Sequence, residues 1–503
     1  MVVILVTSIL AGLLWAVIQF LHEFLLRRRA PPGTRLPPMP PASIWSGHNE
    51  LYDINFHCNS AIEWGKKYGP VIRLRKNLRT IVLLNDLESI KKFCNTKELL
   101  CHSTVFTLFR ENNQGVGILN GKAWSENRRF CLSMLRDLGF AKTAMEDNMM
   151  EEFMRTAETI GKAGGEPLDV RGYLFWSSFK NIACFFYGAR FSHDHPTMRE
   201  LHSAMVELNP ALHSGQVYEF YTPTVRRLVS MFPFTRLGKI TKGTAKLDTI
   251  AEKQVRAYKE KEYGNESNDF ICGYLKKIED DKKFSRGLFT DESLVGNITS
   301  FLTAGTLSTS GVLGWGLFQF AQNVDTVQAR VQREVDEAVG PHRQPTWEDR
   351  KQMPYTLACI WELFRWATAA VTGVPREAME DVVIGDFFIP KGTVVLFNIW
   401  AVHHDPRLWK NPNKFDPCRF LNEDGISIRN KPEYLIPFSI GRRMCPGETF
   451  ATIEIFLMLS LLAQKYRILP EHPVEYDVDS AELPWQSMLD MKLRFLPREA
   501  PLC

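Results

Sequence analysis

The chain has 503 residues, of which 45% are hydrophobic and 23% are charged, as in a globular protein with a large core. Its 61 basic and 57 acidic side chains give a formal net charge of +4, which is too small to indicate nucleic-acid binding. The ten cysteines show neither a Cys-x-x-Cys pair nor a zinc spacing, so we expect free thiols in a reducing compartment.

The N-terminal stretch is the first predicted element. Residues 1–21 have no charged side chain, and an apolar helix of about 20 residues spans the hydrocarbon layer of a bilayer. The basic run Arg27–Arg29 follows, and basic residues mark the cytoplasmic side of a span. A cleaved signal peptide would have a basic start and a small-residue cleavage site, which this stretch lacks. We predict a transmembrane signal anchor at 1–26.

A proline-rich segment separates this anchor from the remainder of the chain. Six of the twelve residues from Ala30 to Pro41 are proline, which excludes a helix there. Such a composition is typical of a stiff, extended spacer. We therefore predict a basic stop and hinge at 27–41, followed by one large cytosolic domain at 42–503.

Local patterns predict the elements that follow. Val71–Leu74 and Thr80–Leu84 are rich in β-forming residues and flank a turn, which predicts a hairpin. Asp86 is placed to cap the next helix. Residues 145–260 have a largely helical pattern, whereas the charged stretch 264–287 predicts a solvated connector.

One part of the helical region mixes aromatic and basic residues. It covers 216–240 and includes Phe220, Phe232 and Phe234. The mixture is compatible with a lid that dips into a membrane surface and admits lipophilic molecules. It is equally compatible with ordinary packing between helices, and the sequence leaves both interpretations open.

A long apolar helix is predicted in the second half of the chain. Thr290 can cap its start, and Asp291 and Glu292 suit its first turn. The apolar pattern continues to about Gln322. Small and hydroxyl-bearing residues occupy the middle of this helix, at 304–309.

The most informative stretch reads Phe-x-x-Gly-x-Arg-x-Cys-x-Gly and is formed by Phe438, Gly441, Arg443, Cys445 and Gly447. A cysteine thiolate can hold haem iron and push electron density through it. Gly441 permits a tight turn, and Gly447 permits a close backbone approach. Arg443 can pair with a carboxylate in two-point geometry. A lone cysteine would more simply be a structural thiol, but the full pattern before an apolar helix favours a haem-ligand loop.

These ten positions resemble the haem-ligand loop of the cytochrome P-450 family. The anchor, the hinge and the later motifs follow in the order of its microsomal members, so the resemblance covers nearly the whole chain. It implies a mainly α fold with small β-sheets (α+β) and an N-terminal transmembrane helix. It also implies a haem b cofactor (iron-protoporphyrin IX), Cys445 as the axial ligand of its iron, and Phe438 packed beside the sulfur.

The resemblance assigns further cofactor contacts to residues whose own patterns are weak. Trp124 and Arg128 share one face of a helix and would contact the haem propionates. Arg376 and Arg443 would be further propionate ligands, and Ala304 would leave room beside the iron. The pocket would be lined by Phe106, Phe109 and the segments 369–374 and 483–488.

A structural triad is implied in the same way. Glu362 and Arg365 form a Glu-x-x-Arg pair within reach on one helix, which alone indicates no more than a surface ion pair. In the family, Arg419 joins them in a buried triad on the cysteine side of the haem. Three buried charges need one another, because an unpaired buried charge is very costly.

The central helix departs from the family pattern Ala-Gly-x-(Asp/Glu)-Thr. Leu307 stands at the acid position and Ser308 at the threonine position, with Thr309 about 100° further round the helix. A serine hydroxyl can donate a hydrogen bond, whereas leucine cannot relay a proton. We expect Ser308, with Thr309 beside it, to keep the alcohol function, and we expect the acid function to be absent.

The resemblance implies a monooxygenase that crosses the endoplasmic reticulum membrane once and hydroxylates or epoxidises a small lipophilic substrate. NADPH-cytochrome reductase, with cytochrome b5 as a further candidate, would supply electrons for the activation of dioxygen. A basic face would dock this partner by electrostatic steering. Its members are Arg128, Arg129, Lys410, Lys414 and Arg442.

Two alternatives remain open at the level of sequence. The loss of the acid at Leu307 would also suit an isomerase or dehydratase of lipid peroxides that needs no reductase. A non-catalytic haem-binding protein would keep the same haem motifs. The sequence does not choose between steroid, fatty acid and xenobiotic substrates, because pocket shape depends on loops.

Overall fold

The computed structural model describes residues 2–105, 115–139, 143–187, 195–213, 219–260, 269–284, 287–472 and 492–498. Helices dominate these residues, which confirms the predicted mainly α fold with small β-sheets. In chain order the helices are α1 (Val2–Arg29), α2 (Ser60–Tyr68), α3 (Leu87–Cys94), α4 (Gly121–Asp137), α5 (Thr143–Gly161), α6 (Arg171–Tyr187), α7 (Pro196–His213), α8 (Pro223–Ser230), α9 (Arg236–Lys259), α10 (Phe270–Lys283), α11 (Asp291–Gln322), α12 (Ala329–Ala338), α13 (Pro354–Ala367), α14 (Ile399–His403) and α15 (Glu448–Lys465).

The strands of these residues form three small sheets. They are β1 (Val71–Lys76), β2 (Arg79–Leu84), β3 (Cys101–His102), β4 (Arg376–Glu377), β5 (Val382–Ile384), β6 (Phe387–Ile389), β7 (Val394–Phe397), β8 (Tyr466–Pro470) and β9 (Leu493–Pro497). The largest sheet has the order β1-β2-β7-β4-β3, and only β2 and β7 run parallel in it. β5 pairs with β6, and β8 pairs with β9.

Helix α11 is the central element of the helical layer. It packs against α6, α9, α13 and α15, so most of its faces are buried. This burial explains why its sequence is apolar nearly all round. Its start is capped as predicted, because the Thr290 hydroxyl oxygen accepts the Ser293 N–H at 3.1 Å. Its end at Gln322 also agrees with the prediction.

The sheet region begins with the predicted hairpin. β1 and β2 pair antiparallel along their whole length, and α3 follows them. The Asp86 carboxylate accepts the Ser89 N–H at 2.9 Å, which confirms the predicted cap of α3. Successive residues of β2 enter two different apolar clusters, so the sheet is buried on both faces.

The N-terminal helix is longer than the predicted anchor. α1 runs to Arg29, so the basic run Arg27–Arg29 forms its last turn instead of a separate stop. Within it, Leu10–Arg29 is long and apolar enough to cross a membrane, judged by length and composition. The extended backbone begins with the prolines, where a helix cannot continue.

The prediction of a solvated connector at 264–287 is wrong for the middle of that stretch. The structure forms α10 there, with Phe270, Tyr274 and Ile278 buried and Asp269 capping its start. These apolar residues recur at helical spacing, but the dense charges of the same stretch conceal the pattern. Burial of one narrow apolar face therefore outweighs the polar composition.

Candidate active site

The loop that contains Cys445 is held by its own backbone. The Cys445 N–H donates to the Phe438 carbonyl at 2.8 Å, and the Met444 N–H donates to the Gly441 carbonyl at 3.1 Å. Gly441 has a φ of 78°, which glycine adopts without strain. A Cβ at this position would also lie 3.2 Å from the Cys94 sulfur. Both the backbone conformation and the close approach therefore require glycine.

Cys445 is an exposed residue just before α15, although much of the protein surrounds its sulfur. The Gly447 N–H donates to it at 3.3 Å, and Arg128 lies close enough to donate to the neighbouring Met444 carbonyl at 2.6 Å. Burial within the protein raises the pKa of the Cys445 thiol, while the Gly447 amide and the Arg128 charge lower it. The Phe438 ring packs against Phe364, with ring centroids 5.0 Å apart. The loop thus offers a thiol that iron binding would convert to a thiolate.

Three arginines predicted as cofactor or partner contacts converge near this loop. They are Arg128 of α4, Arg376 of β4 and Arg443 of the loop. Burial lowers the pKa of all three, and the charges of Arg376 and Arg128 lower the pKa of Arg443 further. The Arg443 guanidinium lies 3.7 Å from the centre of the Trp124 ring, which places the predicted tryptophan in the same cluster.

Two nitrogen atoms of this cluster have no partner among the described residues. Arg443 donates to the carbonyls of Leu100 and Leu119 at 2.7 and 2.8 Å, yet its Nη1 is buried without an acceptor. The Nε of Arg376 is buried without an acceptor as well. Like charges in a low-dielectric site repel, so the cluster needs an anion. The two propionates of haem fit this requirement, because a guanidinium binds a carboxylate in two-point geometry.

His102 is a member of the cluster that the sequence analysis missed. It lies on β3 opposite Arg376 of β4, and its Nδ1 is 2.6 Å from the Gly117 carbonyl. Because a carbonyl only accepts, Nδ1 bears the proton. Burial and the charges of Arg376 and Arg443 lower the pKa of His102 well below its usual value, so the ring is neutral. No sequence motif marks His102 as a site residue. Only the pairing of β3 with β4 places it beside Arg376.

Helix α11 presents one open face in its middle. Ala304 and Ser308 are exposed, whereas Thr309 is only 2% exposed and belongs to the buried side. The Ser308 hydroxyl donates to the Ala304 carbonyl at 2.8 Å. Leu307 is half-buried and packs against the main apolar core. Helix α15, which begins three residues after Cys445, packs on α11, where a Cβ on Gly316 would lie 2.9 Å from Leu459.

The neighbouring glycine has a packing role. A Cβ on Gly305 would lie 2.8 Å from a methyl group of Ile182 on α6. Glycine therefore allows α6 to approach α11 closely. The room beside the open face is accordingly left by Ala304, whereas Gly305 faces the adjacent helix.

The structure brings Glu362, Arg365 and Arg419 together. The Arg365 Nε and Nη2 donate to the two oxygens of the Glu362 carboxylate at 2.7 Å each, and the Arg419 Nε donates to it at 3.1 Å. The Glu362 and Arg365 side chains are fully buried. The Asp416 N–H donates to the same carboxylate at 2.8 Å, so its acceptors are well satisfied.

His403 connects this triad to the cysteine loop. Its carbonyl accepts from Arg365 at 2.9 Å, and its Nε2 accepts the Ile436 N–H at 3.0 Å, just before the loop begins. Burial, with the charge of Arg365, lowers the pKa of His403 to about 3, so the ring stays neutral and can accept. The triad therefore positions the backbone that leads into the Cys445 loop.

Comparison with known proteins identifies the family of the chain. The family profile described as Cytochrome P450 matches residues 37–487. The chain belongs to the cytochrome P450 family. It is similar to cytochrome P450 2C20 of Macaca fascicularis and 2C8 of Homo sapiens, at 31% identity over 90% of this chain and 91% of each relative. Cytochrome P450 2C11 of Rattus norvegicus is 32% identical over 86% of both chains.

Membership of the cytochrome P450 family makes the chain a haem-dependent oxidoreductase of the monooxygenase type. The comparisons lend no support to the peroxide-rearranging or the non-catalytic alternative. The predicted pocket residues Phe106 and Phe109 and the segment 483–488 lie outside the described residues. The other predicted site residues all lie within them.

The triad generates a first prediction. Glu362→Ala leaves Arg365 and Arg419 buried without their carboxylate, so we expect a loss of about 3–5 kcal/mol in the free energy of unfolding. Urea unfolding followed by circular dichroism measures it. Glu348→Ala, which removes an exposed ion pair with Lys351, is the control and should remain near the parent. An equally small effect of Glu362→Ala would contradict the assignment of Glu362 to a buried, stabilising triad.

The arginine cluster generates a second prediction. Arg376→Gln should weaken haem retention by about 1.5–3 kcal/mol, or about 10- to 150-fold in haem loss to an acceptor protein. The same change should raise the thermal stability of the haem-free protein, because it removes charge repulsion. The exposed Arg129→Gln on α4 is the control for both measurements. If Arg376→Gln weakened haem retention and also lowered the thermal stability of the haem-free protein, the cluster would not be an anion site held together against charge repulsion.

Proposed function

We propose that this protein is a haem b monooxygenase of the endoplasmic reticulum membrane, with its catalytic domain in the cytosol, that hydroxylates or epoxidises a small lipophilic substrate. The observation that supports it most is the Cys445 loop with Arg128, Arg376 and Arg443 converging near it, two of which have a buried nitrogen without an acceptor among the described residues. Haem bound there supplies the oxidising chemistry with dioxygen. Cys445 would ligate the iron, and Arg128, Arg376 and Arg443 would hold the propionates, with Trp124 and a neutral His102 completing the edge.

Proton delivery in this proposal depends on one hydroxyl. The Ser308 Oγ–H donates to the Ala304 carbonyl, and its lone pairs remain free to accept a hydrogen bond from water. The hydroxyl releases its proton only by rotating away from that carbonyl. Leu307 cannot relay a proton, so ordered water must replace the usual acid. We expect oxygen consumption to be coupled to product less tightly than in a site with an acid at position 307.

An exposed basic surface supports a reductase as the electron donor. Arg129, Lys410, Lys414 and Arg442 are exposed, whereas Arg128 turns inward to the Met444 carbonyl. The loop of Lys410 and Lys414 is tied to the triad, because Arg419 donates to both of their carbonyls. An acidic surface of NADPH-cytochrome reductase, or of cytochrome b5, could dock here and be steered by charge.

The region around α8 supports a lipophilic substrate. Met231 and Phe234 are 72% and 76% exposed, and Leu228 and Phe232 are exposed beside them. Four large apolar side chains in one short stretch form a patch that fits a lipid surface. Between the two interpretations of 216–240, this exposure favours the membrane-facing lid over ordinary helix packing.

Cys445→Ala tests the proposal directly. We expect it to lose the thiolate-type ferrous–carbonyl Soret band and all turnover, whereas Cys418→Ala, an exposed cysteine, should keep both. Wild-type protein should show the band with reductase and NADPH as well as with dithionite. A band with dithionite alone, repeated with apolar ligands present, would contradict reductase dependence and leave haem ligation intact. A band that survives in Cys445→Ala would refute the ligand assignment.

The missing acid generates a prediction about coupling. Leu307→Glu should raise the product formed per NADPH consumed, because it restores a proton donor beside Ser308. Ser308→Ala should lower the same ratio severalfold. Ser310→Ala is the control, since its hydroxyl also donates to a carbonyl of α11, that of Thr306. Unchanged coupling in both Leu307→Glu and Ser308→Ala would show that protons enter by another route.

A further inference from the structure

The N-terminal helix α1 contacts the folded body along one face. Gly12, Trp15, Gln19 and Glu23 recur every three or four residues, so they lie on one side of the helix. Each contacts a residue of the segment 45–75 in the catalytic body. We call this set of contacts the anchor–body interface. It exists in addition to the proline segment that joins the two parts covalently.

An ion pair between Glu23 and Arg73 is the strongest contact of the anchor–body interface. Arg73 Nη1 and Nη2 each donate to the Glu23 carboxylate at 2.7 Å, in two-point geometry. Arg73 belongs to β1, and its side chain is only 4% exposed. A buried guanidinium without a carboxylate is strongly destabilising. Arg73 of the sheet therefore depends on Glu23 of the anchor helix for its counter-charge.

Three further contacts extend the interface towards the start of α1. Arg75 donates to the Gln19 side chain, and the Trp15 Nε1 donates to the Trp45 carbonyl at 2.9 Å. A Cβ on Gly12 would lie 2.8 Å from the Trp45 ring. Glycine therefore allows the helix and the ring to touch. The interface is specific in shape as well as in charge.

The opposite face of α1 is apolar and exposed. Its exposed residues are Leu10, Leu13, Leu14, Val17, Phe20, Leu21, Phe24 and Leu25. On the body, Ile44 and Trp45 are 58% and 60% exposed beside the helix. This apolar surface is continuous with the candidate membrane span Leu10–Arg29. A lipid bilayer is therefore the partner whose chemistry covers it.

The helix geometry orders these contacts by depth. Glu23 lies eleven residues after Gly12, which is about 16 Å along the helix axis and less in depth when the helix is tilted. Charged groups avoid hydrocarbon, so the Glu23–Arg73 pair belongs at the cytoplasmic surface of the membrane. Trp45, which contacts Gly12 and Trp15, then lies on the hydrocarbon side of this pair.

We infer that Arg73 holds Glu23 at the membrane surface and thereby fixes the catalytic body rigidly to its own anchor, with Ile44 and Trp45 immersed in lipid. The inference rests on the proposed crossing of the membrane by α1. Without this interface, the hinge at 27–41 and the apolar patch around α8 would hold the body to the membrane at two separate places, and the body could still tilt about the line that joins them. The anchor–body interface removes that freedom, so the haem plane has one fixed tilt relative to the bilayer.

Linear dichroism of the haem Soret band in oriented bilayers measures this tilt in the holoenzyme. We expect Glu23→Leu to lose most of the wild-type dichroism and the charge swap Glu23→Arg/Arg73→Glu to recover part of it. Asp381→Asn is the matched control, because it removes an ion pair between α1 and the body, with Arg29, in which both side chains are more than 40% exposed. It should keep the wild-type value.

Wild-type dichroism in Glu23→Leu would overturn the inference, whether or not the swapped variant folds. Brominated lipids provide an independent measurement, because they quench the fluorescence of tryptophans that lie in the bilayer. The quenched part of the fluorescence should be smaller in Trp45→Phe than in wild type. It should be unchanged in Trp409→Phe, because Trp409 is buried in the protein. No fall in Trp45→Phe would overturn the placement of Trp45 in lipid. Extraction of the wild-type chain by alkaline carbonate would overturn the membrane crossing, while an intact ferrous–carbonyl band would leave the proposed haem chemistry standing.

Discussion

Two buried guanidinium groups and a partly buried third lie close together at the edge of the site, and their mutual repulsion is the constraint on which the site depends. Arg128, Arg376 and Arg443 come from a helix, a strand and a loop that are far apart in the chain. Burial removes the water that would otherwise screen their charges. His102 adds no further charge, because burial, together with the charges of these arginines, holds its pKa well below the usual value. Folding of this edge and retention of an anionic cofactor are therefore linked.

The opposite situation holds at the triad, where the charged groups find their hydrogen-bond partners within the protein and need no cofactor. Glu362 accepts from two arginines and from a backbone amide, and Arg365 reaches the carbonyl of His403. His403 then holds the backbone before the cysteine loop. The thiol side of the site is thus preformed by internal hydrogen bonds, whereas the arginine edge is completed by what binds there. This division explains why a cofactor can enter a scaffold that is already ordered.

The oxygen side and the membrane side of the molecule are both controlled by small residues. Gly305 admits α6 beside α11, and Ala304 leaves the open face on which Ser308 lies. Gly12 admits the Trp45 ring beside α1. In each case a larger side chain would separate two elements that pack together: α6 from α11 in one and Trp45 from α1 in the other. Small residues therefore set how closely these elements approach each other.

The sequence by itself determined the family, the hairpin and the capped central helix, and it predicted the candidate site residues, because these depend on local spacing and on one ten-residue motif. It misjudged 264–287, where a narrow apolar face is hidden among charges, and it missed His102, which has no motif. Only the tertiary structure decided that Ser308 lies on the open face and Thr309 in the core, and that Arg73 meets Glu23. Those outcomes depend on which faces of distant elements pack together, and a linear pattern does not contain that information.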